Sequence, residues 1–206
     1  MTLLVATTNP GKIREIRPLL QGLPIELLTL ADVPPIEEPE ETGATFWENA
    51  RIKALAYAAA SGLLTVAEDS GLEVDALDGE PGVQSARFLG AGTAYPERFR
   101  EIFRRLDQRA ERPRTARFVT ALAVAGGGAL RFECETSIEG LIAAAPSGDN
   151  GFGYDPVFFY PPFTCTTAKM TMEQKASVSH RARSFRNLAR FLTRRDAIGE
   201  ICDSCV

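Results

Sequence analysis

The chain has 206 residues, 45% of them hydrophobic and 24% charged, with a formal net charge of −4. That length can bury a real core without an accessory domain, and the ordinary balance of apolar and charged residues excludes a disordered chain. Apolar runs fall far short of the roughly eighteen residues a spanning helix needs, the opening LLVAT carries no basic leader, and the acidic balance argues against a nucleic-acid coat, so a cytoplasmic protein with no membrane or nucleic-acid partner is expected.

Residues Thr2 to Ala6 read as a buried strand, TTNPG as a turn, and Lys12 to Gln21 as a helix with apolar residues at Ile13, Ile16, Leu19 and Leu20. In the turn Thr7, Thr8, Asn9, Pro10, Gly11, Lys12, backbone N–H groups at a helix start can hold an anion, and Lys12 adds a positive charge. It is not a Walker A motif, since Ala6 stands where the first glycine belongs and Ile13 where Ser or Thr should follow. The same turn also reads as a plain N-cap. Ile25 to Leu30 is a second strand, followed by the long Pro- and Glu-rich loop ADVPPIEEPEETG. There Glu40 and Glu41 either ligate a hard cation or lie in solvent ahead of a helix whose dipole favours acids.

Thr45-Phe-Trp-Glu48 has the form of a capping box and opens a helix running to Ala60, with Phe46, Ala50, Ala54 and Tyr57 as its apolar stripe. Asn49 and Lys53 share one face of it, and Lys53 alone would read as a snorkelling surface lysine. In LLTVAEDSGLEVDAL the apolar run is interrupted by Glu68, Asp69, Ser70 and Gly71, which predicts the end of a buried strand, where open α/β sheets bind ligands. Neighbouring strand residues face opposite ways, so Glu68 and Asp69 meet one ligand only if the chain turns there, as Gly71 would allow.

A Pro81-Gly82 turn and the loop GVQSARF lead to an arginine-dotted helix from about Pro96 to Ala110. Glu97/Glu101/Arg105 and Glu101/Arg104 fall at helical pair spacing, so its arginines are expected on a solvated mixed-charge surface. Arg117 to Ala125 and Leu130 to Ile142 read as strands of a hairpin through Gly126-Gly127-Gly128. In the glycine-rich loop PSGDNGFGYDP, Phe152 and Tyr154 offer faces for a base and the glycines let backbone approach a ligand; a short apolar run, Val157 to Tyr160, follows. The last helix, Ser179 to Arg195, places Phe185, Leu188, Ala189, Phe191 and Leu192 inward. His180 and Arg181 at its start, with Lys175 upstream, can bond base or phosphate oxygens. Cys134, Cys165, Cys202 and Cys205 form no disulfide framework, and the last two read as part of a tail.

Together these segments supply phosphate donors, metal-binding acids, an aromatic loop and extra cations, the parts of a nucleoside triphosphate site. TTNPGK, EETGATFWENARIKA, AEDSGLEVDAL, PGVQSARF, GFGYDPVF and SHR, in this order over nearly the whole chain, resemble the inosine triphosphate pyrophosphatase family. The resemblance implies an α/β fold, an elongated mixed β-sheet flanked by helices, forming a single domain of two lobes with a central cleft. It implies a Mg2+-dependent homodimer that hydrolyses non-canonical purine nucleoside triphosphates (dITP, ITP, XTP) to monophosphate and pyrophosphate. By position, Thr7 to Lys12 resembles the phosphate loop and Asp69 the proton acceptor that activates water. Glu40 or Glu41 with Asp69, and Glu68 as a further candidate, would hold magnesium; Ser70 and Lys53 would meet the triphosphate. Phe152, Gly153, Tyr154, Asp155, Lys175, His180 and Arg181 resemble the nucleoside-binding set, with His180 and Arg181 reading a keto oxygen at purine C6. Glu68 stands where bacterial relatives usually carry aspartate.

Two other readings differ in consequence. A catalytically idle nucleotide sensor would be free to lose Asp69, which this chain keeps with the acids and both lysines. A pyrophosphatase acting on other bases, as Maf-like proteins do, is disfavoured by the SHR and GFGYD segments.

Overall fold

The computed structural model describes residues 1 to 194; the Cys202/Cys205 tail lies outside the described residues. Seven strands stand in the hydrogen-bonded order β2-β1-β3-β4-β5-β6-β7, and helices join them, giving the expected mixed α/β sheet. The strands are β1 (Thr2–Val5), β2 (Glu26–Thr29), β3 (Leu64–Val74), β4 (Thr115–Gly126), β5 (Ala129–Ile142), β6 (Phe158–Tyr160) and β7 (Cys165–Thr166). The helices are α1 (Pro10–Leu20), α2 (Phe46–Ser61), α3 (Tyr95–Asp107), α4 (Met172–Val178) and α5 (His180–Leu192). None is long and apolar enough to cross a membrane among the described residues.

The chain divides into two compact units. Among the described residues the first comprises Met1–Asp69, Thr120–Thr136 and 181–194; the second comprises Ser70–Val119 and Ser137–His180. In the first, β1 pairs in parallel with β2 (Leu3 opposite Leu27) and with β3 (Leu4 opposite Thr65). Parallel neighbours require crossovers, which α1 and α2 provide. Its core joins Leu3 and Val5, Ile16 and Leu20 of α1, Val66, Leu122 and Val124, and Phe185, Leu188 and Leu192 of α5. In the second unit the core joins Leu72 and Val74, Phe99, Ile102 and Leu106 of α3, Phe118, Ile138, Tyr154 and Phe158. There β5 pairs antiparallel with β6, and β6 with β7.

Two elements differ from expectation. β3 does not end at the acids: it runs unbroken through Glu68, Asp69, Ser70 and Gly71 to Val74. Buried Leu72 and Val74 hold its second half in the core, and the acids can stay in a strand because cations neutralise them, as described below. Residues 172 to 178 form the short helix α4, opened by a capping box of Thr171 and Gln174 that the sequence reading passed over.

The capping box at α2 forms as expected: Thr45 Oγ1 accepts from the Glu48 N–H at 3.2 Å and Glu48 Oε2 from the Thr45 N–H at 3.1 Å. Phe46, Ala50, Ala54 and Tyr57 are all buried, and so are Asn49 and Lys53. Thr45→Ala is expected to lower stability by about 1 kcal/mol, read from chemical denaturation at unchanged slope.

Candidate functional site

In the first unit the site is built around the two acids of β3. Asp69 is 8% exposed and Glu68 4%, and the strand's alternation sends them to different partners. Asp69 Oδ1 accepts from Lys53 Nζ at 3.1 Å, and Asp69 Oδ2 from Asn49 Nδ2 at 3.2 Å. Lys53 Nζ also donates to Glu41 Oε1 at 2.6 Å. Lys53 and Asn49 lie one turn apart on α2, so a single helical face carries both groups that hold Asp69. Burial opposes the Lys53 ammonium, but Asp69 and then Glu41 outweigh it and raise its pKa above the ordinary lysine value.

Asn49 also accepts the Gly43 N–H at 2.8 Å through Oδ1, tying the acidic loop to the same helix. A side chain at position 43 could not fit, because its Cβ would stand 2.6 Å from Asn49 Oδ1 and from Glu48 Cβ. This fixes the loop just after Glu41. Glu40 is exposed, so Glu41 is the loop acid that reaches the cluster.

Glu68 Oε1 accepts from Arg181 Nε at 2.8 Å and pairs with Lys12 Nζ at 3.2 Å, while its other oxygen, Oε2, is buried with no hydrogen-bond partner among the described residues. Arg181, 2% exposed, also donates to Glu15 of α1 at 2.6 Å. Burial works against the Glu68 charge, yet Arg181 and then Lys12 prevail and hold the carboxyl below its usual range. Burial likewise pushes the Lys12 ammonium down, and the attraction of Glu68 offsets only part of that.

The Thr7 to Lys12 turn is a well-made cap. Asn9 Oδ1 accepts from the Gly11 N–H at 2.8 Å and the Lys12 N–H at 3.3 Å, and Thr7 Oγ1 accepts from the Asn9 N–H at 3.2 Å. Asn9 thus caps the Gly11 and Lys12 amides, Pro10 has no N–H to offer, and the Lys12 side chain reaches Glu68.

In the second unit, Phe152 to Asp155 form a loop locked by a buried acid. Asp155 Oδ2 accepts from the Phe152 N–H at 2.8 Å and from Lys175, and Oδ1 accepts from Thr167 Oγ1 at 2.8 Å. Gly151, at φ +76°, is required, since a Cβ there would lie 2.0 Å from Asp155 Oδ2. Lys175 lies over the Phe152 ring at 5.2 Å. The Tyr154 ring is packed in the core against Tyr95, at 5.3 Å edge-on, and Phe99, whereas Phe152 is half-buried. Buried His180 stacks on Phe118 at 5.0 Å, and Ser70 is half-buried on β3.

The predicted set thus falls into two groups: Lys12, Lys53, Glu41, Glu68, Asp69 and Arg181 in the first unit, and Phe152, Gly153, Tyr154, Asp155 and Lys175 in the second. His180 and Arg181, expected to act as a pair, go to different partners. Among the described residues no three His, Cys, Asp or Glu side chains gather into a metal-binding group. Glu41 and Asp69 do converge on one cationic group, the Lys53 ammonium. Two such carboxylates fit magnesium, which is bound through one or two carboxylates plus substrate phosphates. Asn49 and Glu15 were missed as site residues, although the shared face of Asn49 and Lys53 was visible in their spacing.

The Ham1 family pattern matches residues 3–191. The chain is 45% identical over 188 residues to the dITP/XTP pyrophosphatase of an Exiguobacterium species, covering 91% of this chain and 95% of that protein. It is 47% identical over 188 residues to the dITP/XTP pyrophosphatase of Thermus thermophilus, covering 91% and 90%. A HAM1 protein from Coxiella burnetii superposes with a TM-score of 0.85 at 36% identity, covering 94% of this chain and 98% of that one. The Staphylococcus aureus Ham1 protein does so with a TM-score of 0.82 at 34% identity, covering 93% and 98%.

A carboxyl held low contributes stability at pH values above its unfolded pKa of about 4.3, and that contribution is lost as pH falls through the folded value. Wild type should therefore lose stability between pH 7 and pH 3 more steeply than Glu68→Gln. At pH 7 the variant should be about 2 kcal/mol less stable, because Arg181 and Lys12 lose their buried counter-charge. Urea titrations at both pH values measure both effects.

Proposed function

The chain belongs to the Ham1 family, and we propose that it hydrolyses non-canonical purine nucleoside triphosphates, dITP, ITP and XTP among them, to the monophosphate and pyrophosphate. The observation that carries this reading is the cluster on β3: a buried carboxylate, Asp69, held by Lys53 and Asn49, with a second acid, Glu41, on the same lysine.

In the reaction a water oxygen bonds to the α-phosphorus, and the bond from that phosphorus to the α,β-bridging oxygen breaks. Pyrophosphate leaves with the electron pair, and Asp69 takes the proton of the attacking water. The Asn49 amide and the Lys53 ammonium each hold one Asp69 oxygen and so fix the carboxylate's orientation. Lys12 and Lys53 offset charge on the phosphate oxygens. Glu41 and Asp69 would hold magnesium, which when bound supplies charge neutralisation on the phosphates. Arg181, engaged by Glu68 and Glu15, is assigned to holding Lys12 in place through Glu68. Purine choice is assigned to the second unit: Phe152 offers a stacking face, and His180 donates to a C6 keto oxygen that an adenine amino group does not replace. Ser70 is assigned to the triphosphate. A cytoplasmic homodimer accompanies this reading.

The test is a product assay with Mg2+ and dITP, XTP, dGTP or dATP in parallel. Pyrophosphate from dITP and XTP, little from dATP, and a loss of at least about a hundredfold in Asp69→Asn are expected. Release of single phosphates would place the attack on another phosphorus, and tight dITP binding without turnover would make the protein a sensor. An unchanged dITP preference in His180→Ala would remove His180 from base selection.

A further inference from the structure

Arg98 lies near the start of α3, among arginines that form the expected surface pairs, such as Arg104 and Arg105 with Glu101, yet it is only 2% exposed. Among the described residues it forms no ion pair. Its Nε donates to the Thr93 carbonyl at 3.1 Å, one terminal nitrogen to the Ser85 carbonyl at 2.8 Å, and the other to the Gly90 carbonyl at 3.2 Å. A buried guanidinium is tolerated only where acceptors meet its donors. The three carbonyls that meet them here belong to the backbone of one segment, residues 85 to 93.

Two contacts carry Arg98 onward to the aromatic loop. The Ser85 carbonyl that it grips also accepts the Tyr154 hydroxyl at 2.9 Å, and the Ser85 side chain is anchored to β3, where Oγ accepts the Leu72 N–H at 2.9 Å. The guanidinium also lies over the Tyr95 ring at 5.0 Å, and that ring meets Tyr154 edge-on. Tyr95 is equally close to the neighbouring residue, since a Cβ built on Gly153 would stand 3.6 Å from its hydroxyl. Both routes end on Tyr154, and the Tyr95 route also reaches Gly153. Burial pushes the Tyr154 hydroxyl up to about 12, so it remains a donor to Ser85 at neutral pH.

We propose that Arg98 is a positioning residue for purine selection, holding the Phe152 to Asp155 loop in place through the Ser85 carbonyl and the Tyr95 ring. The inference rests on the pyrophosphatase reading above. Lysine cannot substitute for it, because an ammonium is a point donor and does not span three carbonyls while stacking on a ring.

The test compares full-length wild type with Arg98→Lys, Tyr154→Phe and the double variant, each checked for folding by circular dichroism. In Arg98→Lys, KM for dITP should rise about tenfold and kcat stay within about twofold, while the Ki of pyrophosphate, a baseless probe of the phosphate-binding residues, should not move. Tyr154→Phe should show a smaller shift of the same kind, and the double variant should be no worse than Arg98→Lys, because both act through Ser85. An unchanged KM in folded Arg98→Lys overturns the proposal, as does a parallel rise of KM for dITP and Ki for pyrophosphate. If Arg98→Lys does not fold, Tyr154→Phe decides by the same two criteria. A wild type that turns over no dITP counts against the pyrophosphatase reading instead. The inference is then read from inosine monophosphate binding by calorimetry: weaker binding in the variants supports it, and equal affinity or no binding to wild type overturns it.

Discussion

Two carboxylates in consecutive positions of a buried strand have to be neutralised separately, because a strand turns successive side chains to opposite faces. In β3 that requirement falls on Glu68 and Asp69, and much of the first unit follows from it. Glu68 needs Lys12 and Arg181, which places the start of α1 and the start of α5 beside the strand. Asp69 needs Lys53 and Asn49, which fixes the face that α2 presents. Glu15 and Glu41 then answer the cations that the first two acids have drawn in. Buried ion pairs of this kind add little net stability over an apolar core, but removing one member leaves an uncompensated charge. The cluster therefore specifies one arrangement of α1, α2 and α5 on β3 more than it strengthens the fold.

The second unit uses the same device once and its inverse once. Asp155 is a buried acid whose two oxygens take a lysine, a threonine hydroxyl and a backbone amide, so the loop that carries Phe152 is shaped before any ligand arrives. Arg98 is a buried cation answered by three backbone carbonyls and the face of the Tyr95 ring. In both cases a buried charged group bonds to the backbone of a glycine-containing segment. Preorganisation of this sort matters for selecting a base, because a loop that must be ordered on binding loses part of the binding energy to conformational entropy.

The fold was legible wherever pattern and period agreed. The capping box at Thr45, the stripe of α2, the inner face of α5 and the strands on either side of Gly127-Gly128 all appear within a few residues of where their spacing puts them. The misreading of β3 has a definite cause: acids in sequence look like the end of a strand, and only the cations of distant elements make them tolerable inside one. Arg98 was hidden for the converse reason. Its neighbours Glu97, Glu101, Arg104 and Arg105 pair at the surface as their spacing requires, and a helix of alternating charge gives no local sign of which arginine turns inward. The cap at the start of α1 was legible in the Thr7 to Lys12 turn, and the side chain of Asn9 makes it.

The composition of the first cluster also bears on how a triphosphate could be accepted. Glu15, Glu41, Glu68 and Asp69 face Lys12, Lys53 and Arg181, so the acids outnumber the cations even before a polyanion arrives. Arg181 is committed to two carboxylates, and Lys53 to two others. A triphosphate meeting only these groups would compete with carboxylates for every positive charge. An added divalent cation would, on the proposed reading, change that balance: Glu41 and Asp69 would be ligands in place of competitors, and Lys53 would have charge to offer phosphate oxygens. On the proposed reading, the excess of acid is then what couples nucleotide binding to metal binding, each making the other more favourable. On the same reading, the lysine that pairs with Asp69 and Glu41 in the free protein would also meet the phosphates once part of the acidic charge it balances is taken up by the cation.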